Sequence, residues 1–403
     1  MKFIVPFTAI FTAILCFNYA FGFYLFPTIL PDMRADMELS YTAVGTMTAV
    51  AQICYVLASL VTIVIARRMG SGAVVIGSAA LCGVALLLIG LYPSMPLLAV
   101  LLALMGAAAA SVWIPMVAIV TRHVPESRRG TVLGIFSSAG AFGAILNGAT
   151  IPFLLEHIGW RGVWISAGIL TCSTVGAGCF FLARMGIFEG DRAPKPGPQR
   201  LGQSPWREIF QPHVALIWAV IFLASAICLP YQTYLSSFLR EDLGHDVSVA
   251  ANVWFAIGLI GSVGGGLMGH IADKAGTTRA LILASVLVLA SSVLLWLSTG
   301  PGAALGSGIL YGLSYYAIFG LVPTYISKVV PAHATTAVFS IANVMVGVGG
   351  GLGNFLGGWS QTLTGGLSAV YVGCSVGGIL LLLLVLALPR EERLLAEFRR
   401  ETP

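Results

Sequence analysis

Charged side chains are scarce in this chain. Asp, Glu, Lys and Arg make up 9% of the 403 residues, whereas soluble domains carry about 25%. Hydrophobic residues make up 58%, and the mean hydropathy is +0.93. A chain this apolar has too little polar surface to stay in water. The composition therefore excludes an ordinary soluble domain and indicates an integral membrane protein.

Acidic residues and histidines are missing from the long apolar runs. All 16 Asp and Glu residues and all six His residues lie in polar stretches or at the ends of apolar runs. No nucleophile–base pair or His/carboxylate cluster is therefore expected within the membrane. We expect no enzyme, no metal site and no cofactor. Asp32, which follows Pro27 and Pro31, is the nearest candidate for a proton-carrying carboxylate.

The seven cysteines lack any pairing or metal-binding pattern. All of them lie inside apolar segments, and none has C-x-x-C spacing. We therefore expect them to be small apolar packing residues, without a disulfide framework.

Long apolar segments are what the chain has in abundance. A helix that crosses a bilayer needs roughly 20 apolar residues. On that basis the sequence predicts twelve crossings, at 7–30, 42–65, 73–92, 97–121, 130–153, 163–184, 213–238, 248–269, 279–298, 303–327, 335–358 and 368–388. The predicted fold class is all-α and integral to the membrane.

A polar stretch divides the chain near its middle. Residues 184–212 are basic and rich in Pro and Gly, which is typical of a linker. We therefore predict four parts: an N-terminal six-helix bundle at 1–184, a cytoplasmic linker at 185–212, a C-terminal six-helix bundle at 213–388 and a cytoplasmic tail at 389–403.

Basic residues lie mostly on one side of the predicted membrane. With the N-terminus inside, only Arg34, Arg161 and Arg240 of the 21 Lys and Arg residues fall outside, a strong positive-inside bias. We therefore predict a multi-pass protein of the plasma (inner) membrane with both termini in the cytoplasm. The same asymmetry explains the net charge of +5 without a nucleic-acid partner.

The two halves of the chain repeat each other. "IARRMGS" at 65–71 resembles "IADKAGT" at 271–277, so that Gly70 and Gly276 are 206 residues apart. Arg34 and Arg240 have the same offset. A third pair of segments, which begin at Thr131 and Thr336, matches with an offset of 205. A nearly constant offset across three regions indicates a parallel duplication of six helices plus six.

This arrangement resembles the major facilitator superfamily. The segment "GHIADKAGTTR" at 269–279 is similar to the family's loop between helices 8 and 9, and "GWRGVW" at 159–164 is similar to its entry to helix 6. The resemblance implies two six-helix bundles that rock by alternating access to carry a small molecule. Arg67 stands where the first-half copy of the loop usually has Asp.

The resemblance also implies a gate at the cytoplasmic loops. Asp273 would cap a helix end and pair with Arg128 or Arg129 of the other bundle, or locally with Arg279. The alternative is that the basic residues here serve only membrane insertion.

Two differences from the drug-efflux members of this superfamily bear on the expected class of substrate. Leu102 stands where those members often carry an embedded Arg on helix 4, and the helix 5 segment "AGAFGAILNG" lacks their proline. Helix 5 looks more like organic-anion and monocarboxylate importers. We therefore expect uptake of a small organic acid, as a symporter, with efflux of a drug or metabolite as the alternative.

Polar and aromatic side chains within the crossings are the candidates for a solute site. They are Asn18, Tyr19, Tyr24, Trp113, Ser138, Asn147, Tyr231, Gln232, Tyr234, Tyr311, Tyr315, Tyr316 and Asn343. Interface anchoring, packing or hydrogen bonding between helices is the alternative for each.

An anionic solute would need a counter-charge. Arg122 and Lys328, the deepest basic groups, are the candidates, although both also suit snorkelling to the membrane surface. Without such a charge the walls would suit a neutral or zwitterionic solute equally. The expected partners are the small-molecule substrate, a coupling proton or ion and the lipid bilayer, and we expect a monomer.

Overall fold

The computed structural model describes residues 4–184, 211–389 and 391, and all long elements within these ranges are helices. The predicted linker at 185–212 and the tail at 389–403 lie almost wholly outside the described residues.

Six helices cross the membrane in the first half. Helix α1 (4–37) consists of Ile4–Tyr19, one π-helical turn at Ala20–Tyr24, and Leu25–Met37. It is followed by α2 (Tyr41–Met69), α3 (Ser71–Leu91), α4 (Met95–His123), α5 (126–158) and α6 (160–184).

Six helices also cross in the second half. Helix α7 consists of Pro212–Ser237 and a π-helical turn at Phe238–Asp242. It is followed by α8 (Val247–Ala275), α9 (Thr277–Leu297), α10 (Pro301–Val329), α11 (Ala332–Thr364) and α12 (Ser368–Ala387).

The break between α5 and α6 depends on a single glycine. The apolar element at Arg128–Arg184 is 57 residues long, which would span about 86 Å of straight helix, whereas the hydrocarbon core is about 30 Å thick. At Gly159 the backbone has φ 66° and ψ 173°, a conformation open to glycine because it has no Cβ. The chain reverses there, so the eleven apolar elements found among the described residues make twelve crossings, which confirms the predicted fold class.

The predicted duplication is visible in the backbone. Gly70, between α2 and α3, has φ 90° and ψ 147°, and Gly276, between α8 and α9, has φ 97° and ψ 147°. Each glycine N–H donates to the carbonyl four residues earlier, of Ala66 at 2.9 Å and of Ala272 at 3.0 Å. The halves also share helix neighbours, since α2 packs on α4 as α8 packs on α10, and α3 on α6 as α9 on α12.

The two halves meet closely on one side of the membrane and separate on the other. We name the face where α1 ends the distal end, and the face with residues 4 and 387 the terminal end. A Cβ added to Gly148 of α5 or Gly258 of α8 would come within 2.5 Å of the other helix. Seven residues nearer the terminal end, on the same helix face, a Cβ on Gly265 would meet nothing within 4 Å. Helices α5 and α8 therefore diverge toward the terminal end.

Close packing inside a half predicts a sharp effect of one added methyl group. A Cβ on Gly312 of α10 would lie 2.7 Å from the Ile257 carbonyl oxygen of α8, and a backbone atom cannot turn aside. Gly312→Ala should therefore destabilise the protein by about 1–3 kcal/mol through overpacking. The melting temperature of the purified protein should fall by a few degrees.

Gly320 on the same helix provides the matched control. A Cβ there would meet nothing within 4 Å, so Gly320→Ala should melt like the wild type. Equal melting of the two variants would show that α8 and α10 can separate without cost.

Candidate functional site

A cavity of about 270 Å³ lies between the two halves, midway along the crossings. Helices α1, α2 and α4 of the first half and α7, α10 and α11 of the second supply its wall. The rings around it are Tyr19, Phe23, Tyr24, Tyr55, Trp113, Tyr315, Phe319 and Phe339. Its position between the repeats is where transporters built from duplicated bundles bind their solutes.

The rings of the wall are in contact with one another. The Phe23 ring lies 6.0 Å from that of Tyr19 and 6.2 Å from that of Tyr55, the second pair edge to face. On the opposite side, the rings of Tyr315 and Phe319 are 5.1 Å apart. Such rings offer flat apolar faces with hydroxyl groups at their edges, and this suits a flat organic solute.

Tyr315 is also the end ring of a stack of three tyrosines within the second half, and it is the ring of that stack that lines the cavity. The rings of Tyr231 and Tyr311 lie 4.1 Å apart and nearly parallel, and those of Tyr311 and Tyr315 lie 5.3 Å apart. Tyr311 and Tyr315 thus share one helix face, as their spacing predicts. The buried part of the stack holds the Tyr315 ring at the cavity wall.

Two amides, Gln52 of α2 and Asn343 of α11, are the other polar groups of the wall. Among the described residues that line this cavity there is no Asp, Glu, Lys or Arg. The wall can therefore bind a solute by stacking and by neutral hydrogen bonds.

The structure brings some predicted site residues to the cavity and leaves others in helix contacts. Tyr19, Tyr24, Trp113, Tyr315 and Asn343 line it, and Gln232 lines a smaller adjoining chamber. Asn18, Ser138, Asn147, Tyr231, Tyr234, Tyr311 and Tyr316 line neither of these two cavities.

Hydrogen bonds between helices occupy several of the seven. Asn147 Nδ2 donates to the Ala20 carbonyl at 2.7 Å, and the Tyr311 hydroxyl donates to the Cys228 carbonyl at 2.8 Å. The Tyr234 hydroxyl donates to the backbone carbonyl of Asn354 at 2.6 Å. Tyr231 shares a hydrogen bond with Ser307, also at 2.6 Å. Ser138 donates to the Gly134 carbonyl of its own helix.

Sequence reasoning missed Phe23, Gln52, Tyr55, Phe319 and Phe339. Gln52 could have been found from sequence. It is a lone amide in the apolar run "VAQICYVLASL", and an amide that faces lipid costs free energy there as it would at Gln232. Aromatic residues carry no comparable signal, since a phenylalanine at the cavity and one facing lipid look alike in sequence.

Two crossed ion pairs join the halves at the distal end. Arg240 of α7 holds Asp32 of α1, with Nη2 3.0 Å from Oδ1. Arg34 of α1 pairs with Glu241 of α7, and its guanidinium lies 3.7 Å from the centre of the Tyr41 ring. Arg34 and Arg240 are the arginines matched by the repeat, and each binds a carboxylate of the opposite half.

A second carboxylate of each half stays within that half. Asp36 pairs with Arg161 at the start of α6, with Oδ2 2.8 Å from Nη2. Asp242, at the matching position, accepts a hydrogen bond from the Leu367 backbone N–H at 2.6 Å, just before α12. These contacts fix the last helix of each half, whereas the crossed pairs close the distal end.

The predicted gate residues lie at the terminal end. Asp273 is exposed there. Arg129 Nε donates to the Val124 carbonyl at 3.0 Å, and Arg279 Nη1 donates to the Ala275 carbonyl at 2.9 Å. Arg128 lies exposed on α5. Since α5 and α8 diverge here, a gate that closes this end stays a prediction.

The predicted counter-charges also lie away from the cavity. Lys328 Nζ binds Thr277 Oγ1 at 2.8 Å and Glu391 Oε1 at 3.1 Å, and Glu391 accepts the Thr277 backbone N–H at the start of α9. Burial raises the pKa of Glu391, but hydrogen bonds from Thr277 and Lys328 outweigh it and hold the pKa below its ordinary value. Arg122 is half-buried at the terminal end of α4.

Twelve crossings in two repeated bundles around a central cavity are an arrangement typical of membrane transporters. Residues 12–354 match the Major Facilitator Superfamily, and the chain belongs to that family.

Several relatives are similar over part of the chain. The MFS-type transporter pynF of Aspergillus niger is 26% identical over 240 residues, 58% of this chain and about half (52%) of that transporter. The purine ribonucleoside efflux pump NepI of Escherichia coli is 25% identical over 299 residues, 73% of this chain and 72% of the pump.

Two solved structures share the fold. A bacterial homologue of the human lysosomal transporter Spinster, inward-facing and unoccupied, aligns with a TM-score of 0.72 at 16% identity, covering 94% of each chain. The nucleoside transporter NupG aligns with a TM-score of 0.71 at 11% identity, covering 94% of this chain and 99% of NupG.

The crossed ion pairs predict how the distal end opens. Arg240→Gln removes one of the two crossed pairs. A loss of about 1 kcal/mol from the closed distal end would shift the equilibrium between the closed and open ends roughly fivefold. Thr42 and Thr362 face each other across the halves, with their hydroxyl oxygens 2.7 Å apart. Cysteines at these two positions should cross-link readily, and Arg240→Gln should lower the cross-linked fraction.

The linked peptides can be quantified by mass spectrometry in a background without the seven native cysteines. Arg161→Gln breaks a pair at the same end that lies within one half, so it should leave cross-linking unchanged. An equal loss in both variants would argue against closure by the crossed pairs.

The Glu391 contacts predict a pH-dependent stability. A carboxyl whose pKa is lowered by folding stabilises the fold above its ordinary pKa, 4.5 here, and stops doing so as the pH falls through the lowered value. Glu391→Gln should therefore melt below the wild type at pH 7, and this difference should shrink at pH 3. A difference that does not change with pH would mean that packing, not charge, holds Glu391.

Proposed function

We propose that this protein is a secondary transporter that carries a small, flat, neutral solute of the nucleoside class by alternating access. The observation that carries the proposal is the uncharged, ring-lined cavity between the halves. Its volume of about 270 Å³ is close to the lower limit of roughly 300 Å³ for small-molecule pockets, so the solute is small.

The absence of charge from the described wall favours a neutral solute. An ion moved from water into an apolar site without a counter-charge loses far more hydration energy than the site returns. Arg122 and Lys328, which would have to face an organic acid, do not line this cavity. Uptake of an organic acid is therefore the second candidate, supported by the helix 5 resemblance.

The rings and amides of the wall match the parts of a nucleoside. A heterocyclic base stacks on aromatic faces, and its polar edge bonds amide groups such as those of Gln52 and Asn343. The similarity to purine ribonucleoside efflux pumps supports the same class.

The two ends of the bundle support alternating access. The distal end is held by crossed ion pairs while α5 and α8 diverge toward the terminal end. We place the terminal end in the cytoplasm of a plasma-membrane protein, from the distribution of Lys and Arg. The efflux relatives favour export over the uptake predicted from sequence, and a coupling proton or ion completes the proposal.

Binding of adenosine to the purified protein tests the solute class. Trp113→Ala removes a ring from the wall, and stacking of a base on an aromatic side chain is worth about 1–3 kcal/mol. The affinity for adenosine, measured by calorimetry, should therefore fall roughly 5- to 150-fold.

Trp359→Ala is the matched control, because Trp359 is 48% exposed on α11 and does not line this cavity. It should bind adenosine like the wild type. Binding of benzoate without binding of adenosine would overturn the neutral-solute proposal in favour of the organic acid. Transport into or out of proteoliposomes then gives the direction.

A further inference from the structure

A second cavity, of about 60 Å³, adjoins the central one on its distal side. We name it the amide chamber, because Gln232 of α7 and Asn354 of α11 both line it. Phe23, Gln52 and Leu229 line both cavities and therefore form their common wall. A solute held among the rings of the central cavity would thus have one end beside the chamber.

Two of the three amides that line the chamber, Gln232 and Asn354, are buried and incompletely bonded. Gln232 is 4% exposed and Asn354 is 2% exposed. Gln232 Nε2, a donor, and Asn354 Oδ1, an acceptor, have no hydrogen-bond partner among the described residues. Buried polar groups in native proteins are nearly always paired, so two incompletely paired amides that line one cavity indicate a ligand that bonds to both.

The combination of donor and acceptor selects the chemistry of that ligand. A hydroxyl group both donates and accepts, so it can satisfy the two amides together. A carboxylate can bond only to the N–H donors of the two amides and an ammonium group only to their oxygens, and among the described residues that line the chamber there is no counter-charge for either. A chamber of about 60 Å³ has room for such a group, or for one or two water molecules of about 30 Å³ each.

Other buried amides do not share this position. Asn18 is 1% exposed and both of its side-chain polar atoms lack a partner among the described residues, but it lines neither cavity. Asn147 donates to Ala20 and lies in the contact of α1 with α5. Thr48, in contrast, lines the chamber. Its hydroxyl donates to the Val44 carbonyl at 2.9 Å, so its oxygen remains able to accept a hydrogen bond.

We propose that the amide chamber is the subsite that binds the hydroxyl-bearing end of the solute. The planar part lies among the rings of the central cavity, and a sugar-like hydroxyl enters the chamber between Gln232 and Asn354. This inference rests on the proposed function and adds to it the group by which the solute is recognised. The chamber makes hydroxylated solutes preferred over otherwise equal ones.

The test compares adenosine with 2′,3′,5′-trideoxyadenosine, which keeps the base and the sugar ring but has no hydroxyl group. Wild-type protein should bind adenosine at least tenfold more tightly, since a site built around a hydroxyl rejects the analogue that lacks it. Gln232→Met and Asn354→Leu keep the bulk and remove the hydrogen bonds. Each should weaken adenosine binding roughly tenfold and leave the affinity for the trideoxy analogue unchanged.

Asn18→Leu is the matched control, since it removes a buried amide outside the chamber and should change neither affinity. Unchanged binding of the trideoxy analogue also shows that each variant is folded. Equal wild-type affinities for the two compounds would overturn the chamber proposal alone, and this comparison needs no variant. Wild-type protein that binds neither compound would overturn the proposed function, and the chamber proposal with it.

Discussion

The hydrocarbon core of a membrane contains no water, so a polar group placed there must find its partner within the protein. This constraint explains why every described crossing is helical, since a helix pairs its own backbone groups. It also explains the hydrogen bonds between crossings, such as Tyr311 to Cys228 and Asn147 to Ala20. Polar side chains that stay unpaired and line a cavity are then the exceptions that a solute can use.

The same constraint explains why the charged side chains lie at the two ends of the bundle. At the distal end the repeated arginines, Arg34 and Arg240, each bind a carboxylate of the opposite half. At the terminal end Lys328 and Glu391 meet at the start of α9. The described wall of the central cavity is left neutral. Charge therefore lies at the two ends of the bundle, and neutral groups line the cavity that we propose as the solute site.

Most of the fold could be predicted because it depends on order along the chain. Twelve crossings follow from the length of apolar runs, and the repeat follows from spacing. Gly70 and Gly276, 206 residues apart in sequence, have nearly identical backbone angles in the structure. The site was harder to predict. Asn343 and Asn147 are both amides within apolar helices, yet Asn343 lines the cavity and Asn147 bonds to Ala20.

The sequence by itself determined that this is a duplicated, twelve-helix membrane protein with its charges at the ends, because hydropathy, spacing and the order of charges are properties of the chain. Tertiary structure alone decided which side chains face the cavity and which arginine meets which carboxylate. Those outcomes depend on how each helix is rotated about its axis. That rotation is set by close packing against helices distant in sequence, as where Asp32 of α1 meets Arg240 of α7.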